Sequence, residues 1–130
     1  MMKKLAISLM CGLVFFSAQS IARDDVEEYS IAEALELEQA KEKLGTDIAF
    51  YFGDQSYGTP TKKFGEFRTN KKTNAFGKSD LQACQWVFLS AMISLRDRAV
   101  TEGGNAVVEI KSNYKNNLVS STETFNCGAG

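Results

Sequence analysis

The chain contains no histidine and only one proline. It therefore lacks the side chain that most often serves as a general base near neutral pH. It also lacks a Gly-x-x-x-x-Gly-Lys-Ser/Thr loop, the segment that holds nucleotide phosphates in many ATPases. Carboxylate pairs such as Glu27 and Glu28 lie near the start of the predicted mature chain, where exposed acids are rarely catalytic, and Ser120 and Ser121 have no evident base beside them. We therefore predict that the protein is not an enzyme.

Long apolar runs are also missing, except for one near the N-terminus. Two lysines precede the apolar residues 5–16, a stretch too short to cross a bilayer as a helix. Ser20 and Ala22 then place small side chains at positions −3 and −1 before Arg23. A basic head, a short apolar middle and a small-residue exit are typical of a secretory signal peptide. We predict that residues 1–22 are removed and that the mature chain is periplasmic or secreted, with no membrane span.

Cysteine is scarce, with three residues in the chain. Cys11 lies in the predicted signal peptide, so the predicted single domain, residues 23–130, keeps Cys84 and Cys127. An even pair in an oxidising compartment is most simply a disulfide, and a loop of this length gives about 4 kcal/mol in the chain-entropy model. The alternative is a pair of free thiols that is redox-active or binds a metal. Two thiolates without histidine make a poor zinc site, and we predict no cofactor.

Charge is distributed unevenly along the predicted domain. Residues 23–54 contain three basic and ten acidic side chains, whereas residues 55–78 contain six basic and one acidic. Phenylalanines alternate with the cations of the second stretch, so stacked single-stranded nucleic acid is a formal possibility. In the predicted compartment, lipopolysaccharide phosphates, anionic glycans or acidic protein faces are the expected anions, and we expect no nucleic-acid partner. The candidate binding surface consists of Lys62, Lys63, Arg68, Lys71 and Lys72.

The same basic stretch has a purely structural interpretation. Lysines on a strand edge discourage edge-to-edge pairing between molecules. On this interpretation a strand runs from about Lys63 to Thr69, and the phenylalanines at positions 64, 67 and 76 face the core.

Two helices are predicted from capping boxes and apolar periodicity. Ser30 opens the first, which continues with one apolar face to a stop at Gly45. Ser79 opens the second, which spans about Asp80 to Glu102 with a broad apolar stripe. We assign Trp86 to that stripe and expect it in the core.

Strand patterns occupy much of the remaining chain. Residues 48–52 and 105–110 are rich in β-branched and aromatic side chains, and residues 115–117 supply turn chemistry before a returning strand over residues 118–127. The prediction is an α+β fold, in which one long helix packs across a small antiparallel sheet and a disulfide joins the two.

Several segments resemble a family of small secreted bacterial proteins, whose members often carry the label "excinuclease ATPase subunit". The resemblance covers nearly all of the predicted domain and is most specific at Asn-Lys-Lys-Thr-Asn, residues 70–74, and Cys-Gln-Trp, residues 84–86. A fold-level resemblance also extends to YbjQ-like domains and to the envelope sensor lipoprotein of the Rcs stress pathway. It runs through the Cys-bearing helix, Gly-Gly-Asn-Ala-Val-Val and the terminal Cys-Gly-Ala-Gly. These resemblances imply a disulfide-stapled envelope protein.

Three functional hypotheses follow from the sequence. The first is a non-catalytic periplasmic interaction module, related to envelope stress, that binds an envelope protein or an anionic envelope component through the candidate surface. The second is a small-ligand or metal-binding domain, which the label of the YbjQ-like relatives implies. The third is a cryptic hydrolase, for which no residue spacing provides a catalytic group.

Overall fold

The computed structural model describes residues 26–74 and 76–128. The predicted signal peptide and its cleavage site lie outside these residues. In chain order the elements are β1 (Val26–Ser30), α1 (Ile31–Leu35), α2 (Glu38–Leu44), β2 (Ala49–Phe52), α3 (Asp80–Glu102), β3 (Ala106–Ile110), β4 (Ser112–Tyr114), β5 (Asn117–Val119) and β6 (Thr124–Gly128). None of the helices in this part of the chain combines the length and apolarity needed to cross a membrane.

The long helix α3 lies where the sequence predicts it. The Ser79 hydroxyl oxygen accepts the Gln82 N–H at 3.1 Å, which satisfies one of the free donors of the first turn. Gly103 ends the helix in the left-handed conformation, with φ at 82°. One face of α3 is buried and consists of Ala83, Cys84, Phe88, Leu89 and Met92.

The predicted first helix is interrupted. Ser30 caps α1 as predicted, but Leu37 has extended backbone angles, so α2 begins afresh at Glu38. In one continuous helix Ile31 and Ala40 would point to opposite sides, because each residue advances by about 100°. The break lets both side chains become buried, at 4% and 1% exposure. The prediction of a single helix was wrong because burial of both segments outweighs helical continuity.

The predicted returning strand over residues 118–127 is also divided. Its first part, β5, forms a hairpin with β4, and the turn between them places Asn116 at a positive φ of 66°. Its second part, β6, pairs antiparallel with β1 at the opposite end of the chain, from Ser30↔Thr124 to Val26↔Gly128. The Ser121 hydroxyl accepts the N–H groups of Glu123 and Thr124, and the turn they make redirects the chain.

The remaining ladder is parallel. Strands β2 and β3 pair from Ala49↔Ala106 to Phe52↔Ile110, and the long helix lies between them in the chain. Parallel neighbours require such a crossover. The register shifts between Phe50 and Phe52, and on the facing strand Glu109 adopts a φ of 54°. This irregularity is a bulge that turns the Glu109 side chain out of the ladder pattern.

The core and the disulfide lie where α3 meets the strands. The Phe88 ring stacks between Phe125, at a centroid distance of 4.4 Å, and Phe52, at 6.2 Å. Cys84 and Cys127 form the predicted disulfide across 43 residues of chain, with Cα atoms 5.9 Å apart. It joins α3 directly to β6. The α+β class, the long helix and the staple are confirmed.

Three side chains predicted to lie in the core are exposed. Trp86 is 45% exposed because it lies two residues, or about 200° around the helix, from the buried Cys84. Phe64 is 38% exposed and Phe76 is 89% exposed. The predicted strand around residues 63–69 is absent, because no described strand pairs with that segment.

Candidate functional site

The candidate binding residues lie on one irregular segment, residues 61–78, which we call the basic strap. Its described residues form neither helix nor strand. The chain that leads to the strap leaves β2 through Gly53, which is buried and has a φ of 60°. A β-carbon at Gly53 would lie 2.9 Å from the Ser121 carbonyl carbon, so this departure requires glycine. The strap then returns to the start of α3.

The strap runs along α3 with the opposite chain direction, and contacts that involve aromatic rings hold it there. Phe64 lies beyond the C-terminal end, where a β-carbon at Gly104 would come within 3.4 Å of its ring. Phe67 lies beneath Arg98, about 18 Å along the helix from Trp86. The strap reaches Trp86 at Lys78, whose Nζ is 5.9 Å from the indole centroid. Side-chain contacts to the helix thus replace the strand ladder that the sequence predicted.

Arg98 makes the closest of these contacts. Its guanidinium carbon lies 4.0 Å from the centroid of the Phe67 ring. Its Nε also donates to Glu102 Oε2 at 3.1 Å, one helical turn further on. An open groove of about 740 Å³ lies between the strap and the helix, and both signs of charge line it: Glu66, Arg68, Asp97, Arg98 and Glu102 contribute beside Phe67, Ser94, Leu95 and Thr101.

The five predicted cations are all exposed. Within residues 26–74 and 76–128, no hydrogen bond or ion pair engages the side chains of Lys63, Arg68, Lys71 and Lys72. Lys62 instead covers the Phe64 ring at 5.1 Å. The only acidic residue of the strap is Glu66. The strap is therefore a strongly basic segment with only one acidic side chain to offset its positive charge.

Several cations outside the strap make contacts within the protein. Lys41 pairs with Glu36 at 3.2 Å. Arg96 donates from Nε to the Leu44 carbonyl oxygen at 3.0 Å and contacts the Asp97 carboxylate at 3.2 Å. These side chains support the fold, whereas the strap concentrates four cations without such contacts within a short length of chain.

A compact turn at the end of the strap was not predicted. The Asn74 side-chain oxygen accepts the Phe76 N–H at 2.9 Å, and Lys78 Nζ donates to the Asn74 carbonyl oxygen at 2.7 Å. Phe76 is 89% exposed, and Lys78, two residues further on, covers the Trp86 ring. The sequence signal that could have revealed it is the Asn-x-Phe-Gly order, since asparagine and glycine are turn formers.

A tyrosine ties the chain between β2 and the strap to the bulge of β3. Tyr57 donates its hydroxyl hydrogen to Glu109 Oε2 at 2.7 Å, and its ring lies 5.9 Å from that of Tyr51. This hydrogen bond is the main reason that the pKa of Tyr57 is raised above 10.0. Only the protonated hydroxyl can donate this hydrogen bond, so the bond favours the protonated form of Tyr57.

The remaining candidate chemical groups have structural contacts. Because Cys84 and Cys127 are joined, they are not the free thiols of the alternative hypothesis. In the described part of the chain, no three or more His, Cys, Asp or Glu side chains come together as a possible metal site. The Ser121 hydroxyl lies 3.3 Å from that of Thr124 and serves the turn before β6.

Comparison of the chain with protein-family models, curated proteins and solved structures finds no match in any of the three. The contacts and charges of its own residues therefore provide the basis for a functional proposal.

Proposed function

We propose that this protein is a non-catalytic periplasmic or secreted module that binds an anionic component of the cell envelope through the basic strap. The observation that carries this proposal is the set of exposed strap cations without acidic partners. An anion approaching the strap replaces only water around these side chains, whereas at Lys41 it would compete with Glu36.

The position of the strap supports the same function. It is an exposed segment fastened to a rigid helix, an arrangement that presents binding residues without requiring a new fold. The acidic residues are concentrated elsewhere, in residues 23–54. The strap should therefore be the segment that a negatively charged surface attracts most strongly.

Binding to inorganic polyphosphate at several salt concentrations tests the proposal. Replacing Lys62, Lys63, Lys71 and Lys72 together by glutamine should weaken binding by at least roughly tenfold at low salt, since several phosphate contacts are lost. The wild-type affinity should also fall steeply as salt increases. Equal affinity of the variant and the wild type would refute the proposal.

A charge-matched control is available outside the strap. Replacing Lys41, Lys43, Lys111 and Lys115 by glutamine changes the net charge by the same amount. If binding depends on the strap, this control should keep its affinity within roughly twofold, because its lysines lie on other elements. An equal loss in both variants would show that only total charge matters and would contradict a strap site.

A second candidate function is binding of a small charged ligand in the groove between strap and helix. The groove volume, about 740 Å³, lies within the range of small-ligand sites. Its lining offers the Arg68 and Arg98 guanidinium groups together with nearby carboxylates. Calorimetric titration with small dicarboxylates and amino acids tests this candidate, and an absence of heat at millimolar ligand would remove it.

A further inference from the structure

The Asn74–Lys78 turn displays an aromatic side chain in a way that folding alone does not explain. Phe76 is 89% exposed, although a phenylalanine gains most from burial. Its backbone is nevertheless fixed, because its N–H donates to the Asn74 side chain and Lys78 clamps the Asn74 carbonyl oxygen. The turn therefore holds an apolar side chain in water at a defined place.

Further apolar surface lies at the same end of the molecule. Trp86 is 45% exposed and lies beside Lys78, while Leu81, in the first turns of α3, is 44% exposed. Lys71 and Lys72 precede Phe76 by only four or five residues, so they lie within about 17 Å of it. We call this set the aromatic tip: Phe76, Lys78, Leu81 and Trp86, with Lys71 and Lys72 beside them.

We propose that the aromatic tip docks on an anionic lipid bilayer, with Phe76 entering the interface and the neighbouring lysines contacting lipid phosphates. This inference rests on the proposed function and names the anionic component as a membrane surface. Aromatic side chains combined with lysines are typical of segments that bind the membrane–water interface. The strap supplies both within a short length of chain.

The geometry favours a bilayer over an acidic protein as the occupant. Phe76 is 89% exposed, so a soft interface can receive its ring without a matching cavity. A bilayer also presents phosphates on every side of the inserted ring. Lysines are available both before Phe76 in the chain, at Lys71 and Lys72, and after it, at Lys78.

Vesicle binding by the protein as recovered from cells provides the test. The probes are vesicles of phosphatidylcholine alone and of equal parts phosphatidylcholine and phosphatidylglycerol. We expect cosedimentation with the anionic vesicles only. Trp86 is the only tryptophan of the chain, so its emission should shift to the blue on binding and report on the tip directly.

A neutral substitution separates the lipid from soluble anions. Phe76→Ser should weaken binding to anionic vesicles by roughly tenfold to a hundredfold and leave polyphosphate binding unchanged. Leu118→Ser is the matched control, because Leu118 is 58% exposed on β5 and lies outside the strap. This control should bind both probes as the wild type does.

The outcomes distinguish the two proposals. Polyphosphate binding without vesicle binding, or wild-type vesicle affinity for Phe76→Ser, overturns the lipid inference and leaves the proposed function standing. If the wild-type protein binds neither polyphosphate nor anionic vesicles, both proposals are overturned. Equal binding to neutral and anionic vesicles also overturns the inference, because the lysines would then play no part.

Discussion

The stapled core and the basic strap are held in place by different forces. In the core, Phe88 stacks between Phe52 and Phe125, and the Cys84–Cys127 disulfide lies beside them. The strap rests on α3 mainly through cation–π contacts, each worth about 0.5–1 kcal/mol at an exposed site. Truncating a buried phenylalanine costs about 3–5 kcal/mol.

This difference separates stability from binding. A substitution in the core should change both, since α3 carries the strap as well as the core residues. A substitution among the outward lysines should change the surface and leave the fold intact, because surface positions without such contacts affect stability by about 0.5 kcal/mol or less. The strap is therefore a place where charge can vary without loss of folding.

The largest expected effect is removal of the disulfide. Replacing Cys84 and Cys127 together by alanine should lower the free energy of unfolding by about 2–5 kcal/mol, because the unfolded chain gains the freedom of a 43-residue separation. Denaturant unfolding of the oxidised wild type and the double variant measures the difference.

The strap quadruple glutamine variant is the comparison for that experiment. Its free energy of unfolding should lie within about 1 kcal/mol of the wild-type value, because the only contact it loses is the exposed one between Lys62 and Phe64. If it lost as much stability as the disulfide variant, the strap would be part of the cooperative core. The idea that strap lysines serve binding and not stability would then be wrong.

A smaller effect is expected where the two regions meet. Arg98→Ala removes the contact with Phe67 and the ion pair with Glu102, together about 1 kcal/mol. Because the Glu102 ion pair lies within α3, only the Phe67 contact, about 0.5–1 kcal/mol, ties Arg98 to the strap, so local opening should become roughly twofold to fivefold more frequent. The initial rate of trypsin cleavage after Lys71 and Lys72 reports this opening.

Lys43→Ala is the control for the proteolysis experiment, since Lys43 is exposed on α2. Its strap should be cleaved at the wild-type rate. An unchanged rate in Arg98→Ala would mean that the guanidinium contact does not hold the strap.

The sequence was sufficient to predict the long helix, the start of the first helical segment and the disulfide. Ser30 and Ser79 act locally, each through a hydrogen bond three residues away, so their capping roles can be identified from neighbouring residues alone. The even cysteine pair and the predicted compartment were enough for the disulfide.

Long-range pairing was harder to predict because it depends on partners far along the chain. Nothing near residue 124 indicates that β6 pairs with β1, nor that the two segments with Phe50 and Val107 run parallel. The predicted strand at residues 63–69 had suitable residues but no described partner strand, so its phenylalanines contact α3 or solvent. The five cations were identified correctly as exposed, whereas Phe76 and Trp86 were assigned to the core because hydrophobicity alone does not reveal which face a side chain occupies.

The smallest expected effect concerns the tie between Tyr57 and Glu109, which precedes the strap. The raised pKa means that the folded protein favours the protonated tyrosine. Its contribution to stability is therefore fully present below the unfolded pKa, near 10.0, and is lost as pH rises through the higher folded pKa. Above that pH, tyrosinate and carboxylate repel each other and the tie opens.

An ultraviolet absorbance titration of the wild type and of Tyr57→Phe isolates this group. The difference between the two curves should have its midpoint above 10.0, and Glu109→Gln should move that midpoint back towards 10.0 because the carboxylate charge is gone. A midpoint at or below 10.0 in the wild type would show that the hydrogen bond does not persist in solution. The chain between β2 and the strap would then lack its link to β3, and the strap would depend on its contacts with α3 alone.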